Sequence, residues 1–436
     1  MIFNKKENTN WGKSIKTFPT VYAPKDYKEI KKIVNKNKNF IVQGNLRSYG
    51  DNALSNQLVI STKKLNKIIQ FDEKKGIIEA ESGVLLNDLL KIITLKGWFI
   101  PVSPGTKYVS LGGMVANNVH GKNTYKNQIK YYVKKLKLIA SNKEIICSKN
   151  KNKKIFYLTI GGFGLTGAIL SVTLKLKKIQ SENIEQKIIE FKNFEEFYEI
   201  SKINKSYEYS VCWIHNLNKN SIKGLYYLGN HSKKKSVIRP EILKQKRLGI
   251  LLLIILKIVN SNLYFPKIMK FIYRNYIKFF YKKTCHYNDF FYPQDNIPSY
   301  NTIYGKQGFM VSQFLIPEKK FKKILNEISE YFNENKIFYD FVILKKFKEN
   351  GKYLNFSGSG YSISFTFVID KKYDLLKKFL NNIFAKYNLK IDLAKDSILS
   401  KENILRFKEF KSFKNNLLNI NKKKKIASLF SERLGI

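Results

Sequence analysis

The first 180 residues alternate between short apolar runs and segments whose apolar positions recur at helical spacing. Helical spacing marks Tyr27 to Val34 and Leu85 to Leu95. Phe40 to Val42, Ile77 to Ser82 and Ala168 to Leu176 have the composition and length of strands. Strands that alternate with helices in this way predict an α+β or α/β domain.

The pattern changes near residue 180, after which the predicted elements are longer and are not followed by Gly loops. Strands are predicted at Gly308 to Ile316, Ile337 to Leu344 and Tyr361 to Ile369. A helix is predicted at Tyr373 to Tyr387. We therefore place a domain boundary near residue 180, and a chain of 436 residues is long enough for two cores.

The charge balance is strongly basic, because 80 Lys and Arg residues against 33 Asp and Glu residues give a formal net charge of +47. Such a charge would ordinarily indicate nucleic acid or an anionic surface as a partner. Nearly all the basic residues are Lys, and Asn, Ile, Phe and Tyr are also abundant, which is the profile that an AT-rich genome imposes. Two interpretations stay open: compositional drift with solvated faces, or attraction to phosphates or anionic lipid.

Cysteine usage fits a reducing compartment. Cys147, Cys212 and Cys285 are widely spaced and lack CxxC pairing, so neither a disulfide framework nor a metal site is predicted. The N-terminal residues contain no apolar region of the kind found in signal peptides. We expect a cytoplasmic protein, or one that is peripheral at the inner face of the plasma membrane.

The apolar stretch Leu248 to Val259 is shorter than the ~20 residues that a transmembrane helix requires, so no span is predicted. Basic and aromatic residues are mixed in the segment that follows, up to Lys283, which suits a helix at a membrane surface. The alternative is a buried core helix with a solvated basic face.

Two Gly-flanked stretches provide the first candidates for chemistry. Gly44 to Asp51 directly follows an apolar run, and free backbone N–H groups in such a loop bind phosphate oxygens well. Pro101 to Asn123 contains several Gly residues, which allow the backbone to approach a ligand. The alternative for the second stretch is a tight turn followed by a short helix. Neither stretch is a GxGxxG or P-loop fingerprint.

Together with motifs further along the chain, these stretches resemble the decaprenylphosphoryl-β-D-ribose 2-oxidase family, within the vanillyl-alcohol-oxidase superfamily of flavoproteins. The matching motifs occur in the family's order and reach both ends of the chain. They are RSYGD at Arg47 to Asp51, PGTKYVSLGG at Pro104 to Gly113, HGKN at His120 to Asn123, LAKDS at Leu393 to Ser397 and SERLGI at Ser431 to Ile436.

The resemblance implies an α+β fold with non-covalently bound FAD and three regions. These are a PCMH-type FAD-binding domain at 1–180, a substrate domain with an antiparallel sheet covered by helices at 181–389, and a segment at 390–436 that returns to the first domain. The implied cofactor-binding residues are Gly44, Arg47, Ser48, Tyr49, Gly50, Asp51, Pro104, Gly105, Thr106, Gly112, Gly113, Asn117, His120, Gly121, Lys122, Asn123, Gly164 and Gly167.

The implied reaction oxidises a polyprenyl-phosphate-linked pentose to its 2-keto form, and a short-chain reductase partner completes the epimerisation. By motif position, Lys395, His120 and Tyr49 are the catalytic candidates, since an imidazole can exchange protons near neutral pH. The substrate-binding candidates are Gln313, Lys345, Ser364 and Lys395. The choice between Lys345 and its neighbour Lys346 depends on the strand register.

Three positions depart from the family's pattern. The family's PGW motif reads Gly360-Tyr361 here, its usual cysteine reads Ser364, and the aromatic that often precedes LAK is Asp392. These changes leave the sugar and its lipid in doubt. The rival hypotheses are a soluble sugar, alditol or aldonolactone oxidase on the same fold, and a non-catalytic basic scaffold. No nucleic-acid partner is expected.

Overall fold

The computed structural model describes residues 4–36, 39–140, 143–203, 206–234, 281–297, 299–421 and 425–436. The apolar segment Leu248 to Val259 and the basic residues between 267 and 280 lie outside these ranges, so the membrane-surface hypothesis stays a prediction. Among the described helices, none has both the length and the apolar character needed to cross a bilayer.

The fold is α+β, as predicted. In chain order the described α-helices are α1 (Tyr27–Lys36), α2 (Leu86–Ile93), α3 (Leu111–Ala116), α4 (Lys153–Thr159), α5 (Phe194–Ile203), α6 (Tyr287–Phe291), α7 (Phe321–Glu334), α8 (Tyr373–Tyr387), α9 (Lys401–Leu405), α10 (Phe410–Ile420) and α11 (Leu429–Leu434). Helix α1 forms where the apolar spacing predicts it, because Ile30, Ile33 and Val34 share one buried face.

The strands before residue 180 form two larger sheets and two short pairs. The first sheet has the order β1 (Asn4–Lys5), β4 (Thr20–Tyr22), β6 (Leu58–Ser61), β5 (Phe40–Gln43), and the second has the order β11 (Lys143–Ser148), β10 (Val133–Ala140), β12 (Ala168–Lys175), β8 (Ile77–Glu81), β7 (Ile68–Asp72). The short pairs are β2 (Asn8–Thr9) with β3 (Lys16–Thr17), and β9 (Trp98–Phe99) with β13 (Lys177–Lys178). Strands β4, β5 and β6 run parallel, so the chain leaves β5 and β6 at the same sheet edge.

An eight-stranded antiparallel sheet follows. Its order is β17 (Thr284–His286), β14 (Asn183–Phe191), β16 (Ser221–His231), β15 (Tyr209–Asn218), β19 (Tyr339–Glu349), β20 (Gly358–Val368), β18 (Phe309–Ile316), β21 (Lys390–Ile391). Helices α5, α7 and α8 cover one face through buried aromatic and aliphatic side chains, among them Phe197, Phe321 and Leu380. The opposite face is left for the site.

The C-terminal segment connects the two parts of the molecule. Strand β21 lies at the edge of the eight-stranded sheet, whereas Ile426 bridges to Phe40 at the start of β5. The ring of Phe430 on α11 packs 4.9 Å from that of Phe163. A single large apolar cluster therefore runs from the first sheet through the C-terminal helices to the eight-stranded sheet.

Candidate active site

The loop after β5 presents unsatisfied backbone donors. None of the N–H groups of residues 44–50 donates a hydrogen bond to any part of the chain that the structure describes. Leu46 takes a left-handed conformation with φ of 52°, and a change of hand between neighbouring residues turns successive N–H groups toward one concave side. The loop is therefore a ready site for a phosphate group.

The Gly-rich stretch forms a short helix, α3, whose N-terminus is already satisfied. The N–H of Leu111 donates to the Val84 carbonyl at 2.9 Å, and that of Gly112 donates to the Ser82 carbonyl at 2.8 Å. The N–H of Gly113 donates to the Oγ of the capping residue Ser110 at 3.3 Å. This stretch thus forms a turn followed by a short helix, and its first N–H groups are not free for a phosphate group.

Two glycines around α3 face open space. A Cβ atom on Gly105 would meet no atom within 4 Å, and one on Gly113 would meet only Ser110 Oγ, at 3.1 Å. Gly112, by contrast, packs against Ser82, because a Cβ added to Gly112 would lie 2.8 Å from the Ser82 Cβ. A flat ligand can approach the backbone at Gly105 and Gly113 but not at Gly112.

Buried polar atoms around these loops lack partners among the described residues, which is unusual for a folded protein. They are Arg47 Nε, Asn52 Oδ1, Ser82 Oγ, Asn118 Nδ2 and His120 Nδ1. Free loop donors, open glycines and unpartnered polar atoms together fit a dinucleotide with a planar ring. The residues present therefore fit FAD: residues 44–50 would hold its pyrophosphate, and the stretch from α3 to His120 would border its isoalloxazine.

The first loop is held against the other predicted motifs. Ser48 Oγ donates to the Ala394 carbonyl in the LAKDS motif. A Cβ on Gly50 would lie 2.3 Å from the Asp396 carbonyl oxygen, and one on Gly44 would lie 2.1 Å from Ser110 Oγ. The sequence motifs therefore meet in space.

The remaining predicted cofactor residues lie in these loops or next to them. Asn117 accepts a hydrogen bond from Asn52 at 2.5 Å, and Asn123 donates to the Pro101 carbonyl at 2.8 Å. The Pro104 carbonyl accepts a hydrogen bond from the Ser103 hydroxyl, and the Thr106 hydroxyl accepts one from the N–H of Tyr108. The N–H of Gly121 donates to the Asn127 carbonyl. Gly164 lies beside Val42. The guanidinium of Arg47 stacks on Trp11, 3.9 Å from the ring centroid.

A buried polar cluster lies where the loops meet the open face of the eight-stranded sheet. His120 Nε2 is 3.2 Å from Asp392 Oδ2 and 3.1 Å from Gln313 Nε2. Lys395 donates to Gln313 Oε1, and its Nζ is 3.8 Å from Asp392 Oδ2. Gln313 Nε2 in turn donates to Ser362 Oγ at 2.6 Å.

Lys345 and Lys122 bring further cations to this cluster. Lys345 Nζ donates to the Gly121 carbonyl at 3.0 Å, and Lys122 Nζ donates to the Phe290 carbonyl. Lys346 points to the other face of the sheet, where its Nζ is 3.5 Å from Glu318. The strand register therefore brings Lys345, and not Lys346, to the polar cluster.

Burial shifts the titration of these groups. It lowers the pKa of His120 to about 4 despite the hydrogen bond to the Asp392 carboxylate, so the imidazole is neutral at pH 7. It lowers the pKa of Lys122 to about 7 and that of Lys345 well below its usual range, where the neighbouring ammonium groups of Lys395 and Lys122 add to the effect. The site therefore combines a neutral base with cations that burial disfavours.

Tyr49 and Ser364 occupy the rim of this face. Ser364 is the direct cross-strand partner of Gln313, so their side chains share a face and Ser364 is partly exposed there. Tyr49 packs edge-on against Phe309 with ring centroids 5.7 Å apart. Burial raises the pKa of Tyr49 to about 12, so its phenol can donate a hydrogen bond but does not serve as a base at neutral pH.

Two of the predicted cofactor residues, Asp51 and Gly167, make close contacts within the protein. Both carboxylate oxygens of Asp51 accept hydrogen bonds from Arg433, at 2.8 and 2.9 Å, so this side chain fixes the loop. A Cβ on Gly167 would lie 2.2 Å from the Ile139 carbonyl oxygen. Gly167 is thus explained by close strand packing between β12 and β10.

Sequence reasoning did not identify several residues of the cluster. Asp392 was noted only as a departure from the family, and its contact with His120 spans 272 positions of sequence. Ser362 lies two residues before Ser364, which a strand period of two would have placed on the same face. Phe347 and Phe356 flank the His120 ring, with centroids 5.7 and 5.8 Å away, and nothing in the local pattern signals this.

The free N–H groups of residues 44–50, the open glycines and the buried polar cluster fit a flavoprotein oxidoreductase. A protein-family model described as an FAD binding domain matches residues 19–147, which contain both loops. The chain is an FAD-dependent oxidoreductase that acts on a CH–OH group, and FAD is its cofactor.

Comparison with curated proteins confirms the resemblance to the decaprenylphosphoryl-β-D-ribose oxidase family. The chain is 26% identical to decaprenylphosphoryl-beta-D-ribose oxidase of Mycolicibacterium smegmatis over 74% of this chain and 75% of that protein. It is 29% identical to D-lactate dehydrogenase of Anaerostipes hadrus, over 38% of this chain and 37% of that protein. It is 28% identical to L-gulonolactone oxidase of Scyliorhinus torazame, over 38% of this chain and 39% of that protein.

Replacing Gly113 by Val is expected to abolish flavin binding, because the branched side chain would fill the open space beside α3 where the ring must approach. Overpacking of this kind costs ~1–3 kcal/mol or more. The purified variant should lack the visible flavin spectrum while its far-ultraviolet circular dichroism stays that of the parent. A full flavin peak would show that α3 does not border the cofactor.

Proposed function

We propose that the protein oxidises a polyprenyl-phosphate-linked pentose, similar to decaprenylphosphoryl ribose, to its 2-keto form. The reaction would be the first half of a 2-epimerisation that supplies cell-wall or surface polysaccharide. The relative that matches three quarters of both chains has this type of substrate in its name, whereas the lactate and lactone enzymes match under half of the chain.

The observation that carries the proposal is a pair of buried lysine side chains without counter-charges, whose ammonium forms burial disfavours. Neither Lys122 nor Lys345 has a carboxylate within ion-pair distance in the described ranges. Buried cations are costly unless they are paired, and a phosphate group of the substrate would provide the pairing. A neutral lactone or alditol would leave both groups uncompensated.

The other residues of the cluster have roles that follow from their positions. The flavin, when bound, accepts the hydride of the carbinol carbon. Lys395 and Gln313 would hold the sugar oxygens, since Lys395 donates to Gln313 and both face the open side of the sheet. The neutral His120 would take the hydroxyl proton. The rings of Phe347 and Phe356 exclude water around that base.

The proposed reaction needs two further components. The 2-keto product requires a reductase, and a short-chain dehydrogenase/reductase partner is the class that the family implies. A lipid-linked substrate also requires access to a membrane surface, which we place at the inner face of the plasma membrane. The basic segment up to Lys283 is the candidate contact.

Anaerobic mixing with polyprenyl-phosphoryl ribose tests the substrate class directly. We expect the flavin absorbance to bleach, and a 2-keto sugar phosphate to appear in the product. Free ribose, L-gulonolactone and D-lactate serve as controls and should bleach the flavin far more slowly. Faster bleaching by the lactone or the lactate would overturn the lipid-linked assignment in favour of a soluble oxidase.

Substrate affinity is expected to weaken as pH rises through 7. A phosphodiester keeps one negative charge across this range, so the change reports on the protein, where the pKa of Lys122 is about 7. The charged form of Lys122 binds the phosphate, and that form is lost as pH increases. Fluorescence titration of the substrate between pH 6 and 8 measures the effect, and Lys122→Met should flatten it. If substrate affinity changes with pH equally in the parent and in Lys122→Met, Lys122 does not contact the phosphate.

A further inference from the structure

Asp392 places a carboxylate beside His120 at a position where the resembled family often has an aromatic residue. Its side chain is 7% exposed, and Oδ2 lies 3.2 Å from His120 Nε2. The second oxygen, Oδ1, accepts the N–H of Ala394 at 3.3 Å. The backbone N–H of Asp392 donates to the Gln313 carbonyl at 2.8 Å, which fixes the carboxylate in place.

Two neighbours compete for the same ring nitrogen of His120. Gln313 Nε2 is 3.1 Å from Nε2 and can only donate to it, because Lys395 donates to Gln313 Oε1 and so fixes the orientation of the amide. Asp392 Oδ2 can only accept from Nε2 when it is ionised. The first contact requires the Nδ1–H tautomer, and the second requires the Nε2–H tautomer.

The charged contact is the stronger of the two. Hydrogen bonds to an ionised acceptor are roughly twice as strong as neutral ones. Gln313 also has an alternative acceptor in Ser362 Oγ at 2.6 Å, whereas Asp392 Oδ2 has no other neutral donor in the described part of the chain. The Nε2–H tautomer of His120 is therefore the more stable one, and Nδ1 carries no proton.

Nδ1 is buried, and no described residue lies within hydrogen-bonding distance of it. Its lone pair therefore has no hydrogen-bond partner in the described part of the chain and is left for a bound ligand. We propose that Asp392 is a positioning residue that holds His120 in the Nε2–H tautomer and thereby makes Nδ1 the proton acceptor for the substrate hydroxyl. This inference rests on the proposed function.

The proton and electron balance is complete with the groups already named. The O–H bond of the secondary alcohol breaks and its proton moves to Nδ1, while the C–H hydrogen leaves with two electrons to the flavin and the carbonyl forms. His120 becomes an imidazolium that Asp392 neutralises at 3.2 Å. This is the role of a carboxylate that orients a catalytic histidine in hydrolases.

The charges that face His120 are consistent with a base at neutral pH. Lys345 on β19 and Lys395 in the turn after β21 disfavour a second proton, and Asp392, which directly follows β21, favours one. Burial outweighs both and lowers the pKa of the imidazole to about 4. Burial alone would raise the pKa of Asp392, but the His120 hydrogen bond and Lys395 lower it, so the carboxylate stays ionised.

The tautomer can be measured without any substrate, which keeps this inference separable from the proposed sugar. The chain contains four His residues, so histidine labelled with nitrogen-15 gives few signals in the flavin-loaded, full-length protein. Long-range proton–nitrogen correlation should show Nε2–H and an unprotonated Nδ1 for His120. A parent protein whose His120 carries its proton on Nδ1, or on both nitrogens, would overturn the inference.

Asp392→Asn is expected to invert the tautomer. The amide oxygen would keep the N–H of Ala394, so the NH₂ group would face Nε2 and donate to it, which moves the ring proton to Nδ1. Flavin reduction should then slow by ~10²–10⁴-fold, the range for loss of a general base. A merely structural Asp392 would change neither the tautomer nor the rate at equal flavin content.

The rate alone does not distinguish Asp392 acting through His120 from Asp392 acting through Lys395, 3.8 Å away. A slower variant that keeps the Nε2–H signal would therefore refute the positioning role. Glu182→Gln is the matched control, because Glu182 Oε2 is also 3.2 Å from a histidine Nε2, that of His286. It should perturb the His286 signal and leave the His120 signal and the reduction rate unchanged.

Discussion

Replacing Lys395 by Met should slow flavin reduction by ~10²–10⁴-fold while the protein keeps its bound flavin. Met preserves the length of the side chain but removes the ammonium group, which donates to Gln313 and lies 3.8 Å from Asp392. The substrate oxygens would then lose their charged donor. The measurement is the rate of flavin bleaching after anaerobic mixing with polyprenyl-phosphoryl ribose.

Lys346→Met is the matched control for this variant. Lys346 lies on β19, and its ammonium group is on the face of the sheet opposite to the polar cluster, 3.5 Å from Glu318. The flavin of Lys346→Met should bleach at the parental rate. If Lys395→Met also bleaches at that rate, Lys395 has no part in the reaction. Equal visible spectra before mixing ensure that the comparison concerns chemistry and not cofactor loss.

Replacing Arg433 by Met should lower the free energy of unfolding by about 3–5 kcal/mol, the usual result of breaking a buried ion pair from one side. Arg433 binds Asp51 through two hydrogen bonds and contacts Asp396 at 3.0 Å. Its Nη1 also donates to the Leu399 carbonyl at 2.6 Å. Without the guanidinium, two buried carboxylates face each other uncompensated. Urea unfolding followed by circular dichroism measures the loss.

The loss of unfolding free energy in Arg433→Met should become smaller as pH falls. Burial raises the pKa of Asp396 even beside Arg433, and without the cation the folded protein holds this proton more tightly than the unfolded chain does. A group of this kind favours folding at low pH and loses that contribution as pH rises through its folded pKa. Arg406→Met is the control, because Arg406 makes one exposed hydrogen bond of 3.5 Å to Ala385. A loss of under ~1 kcal/mol in Arg433→Met would mean that the ion pairs contribute little.

The Arg433 contacts explain why three distant sequence motifs occur together in this chain. Asp51 ends the RSYGD loop, Asp396 lies in LAKDS, and Arg433 lies in SERLGI. One guanidinium therefore joins the loop that ends at Asp51, the segment that carries Lys395 and the C-terminal helix. Motif order in the sequence indicated a family, and only the ion pairs show that the motifs form a single support for the site.

Much of the fold follows from local sequence. Helix α8 occupies Tyr373–Tyr387 as predicted, because its apolar spacing is regular over the whole segment. Strand β5 and the loop after it are also predicted, since a short apolar run that ends in Gly has few alternatives. Boundaries differ where neighbouring strands extend the pairing: β19 continues from the predicted region to Glu349 because β20 supplies partners as far as Gly358.

The chemistry of the site was determined by contacts that no local pattern contains. Sequence indicated Lys395, His120 and Gln313 through their motifs, but strand register selected Lys345 over Lys346, and Arg433 assigned Asp51 a supporting role. The hydrogen bond between Asp392 and His120 joins residues 272 positions apart, and burial then sets the pKa of the imidazole. Propensity and periodicity act between near neighbours, so the sequence by itself determined the elements and the loops. Desolvation and long-range ion pairs exist only in the folded chain, so only the tertiary structure decided which polar side chains meet and how burial shifts their pKa values.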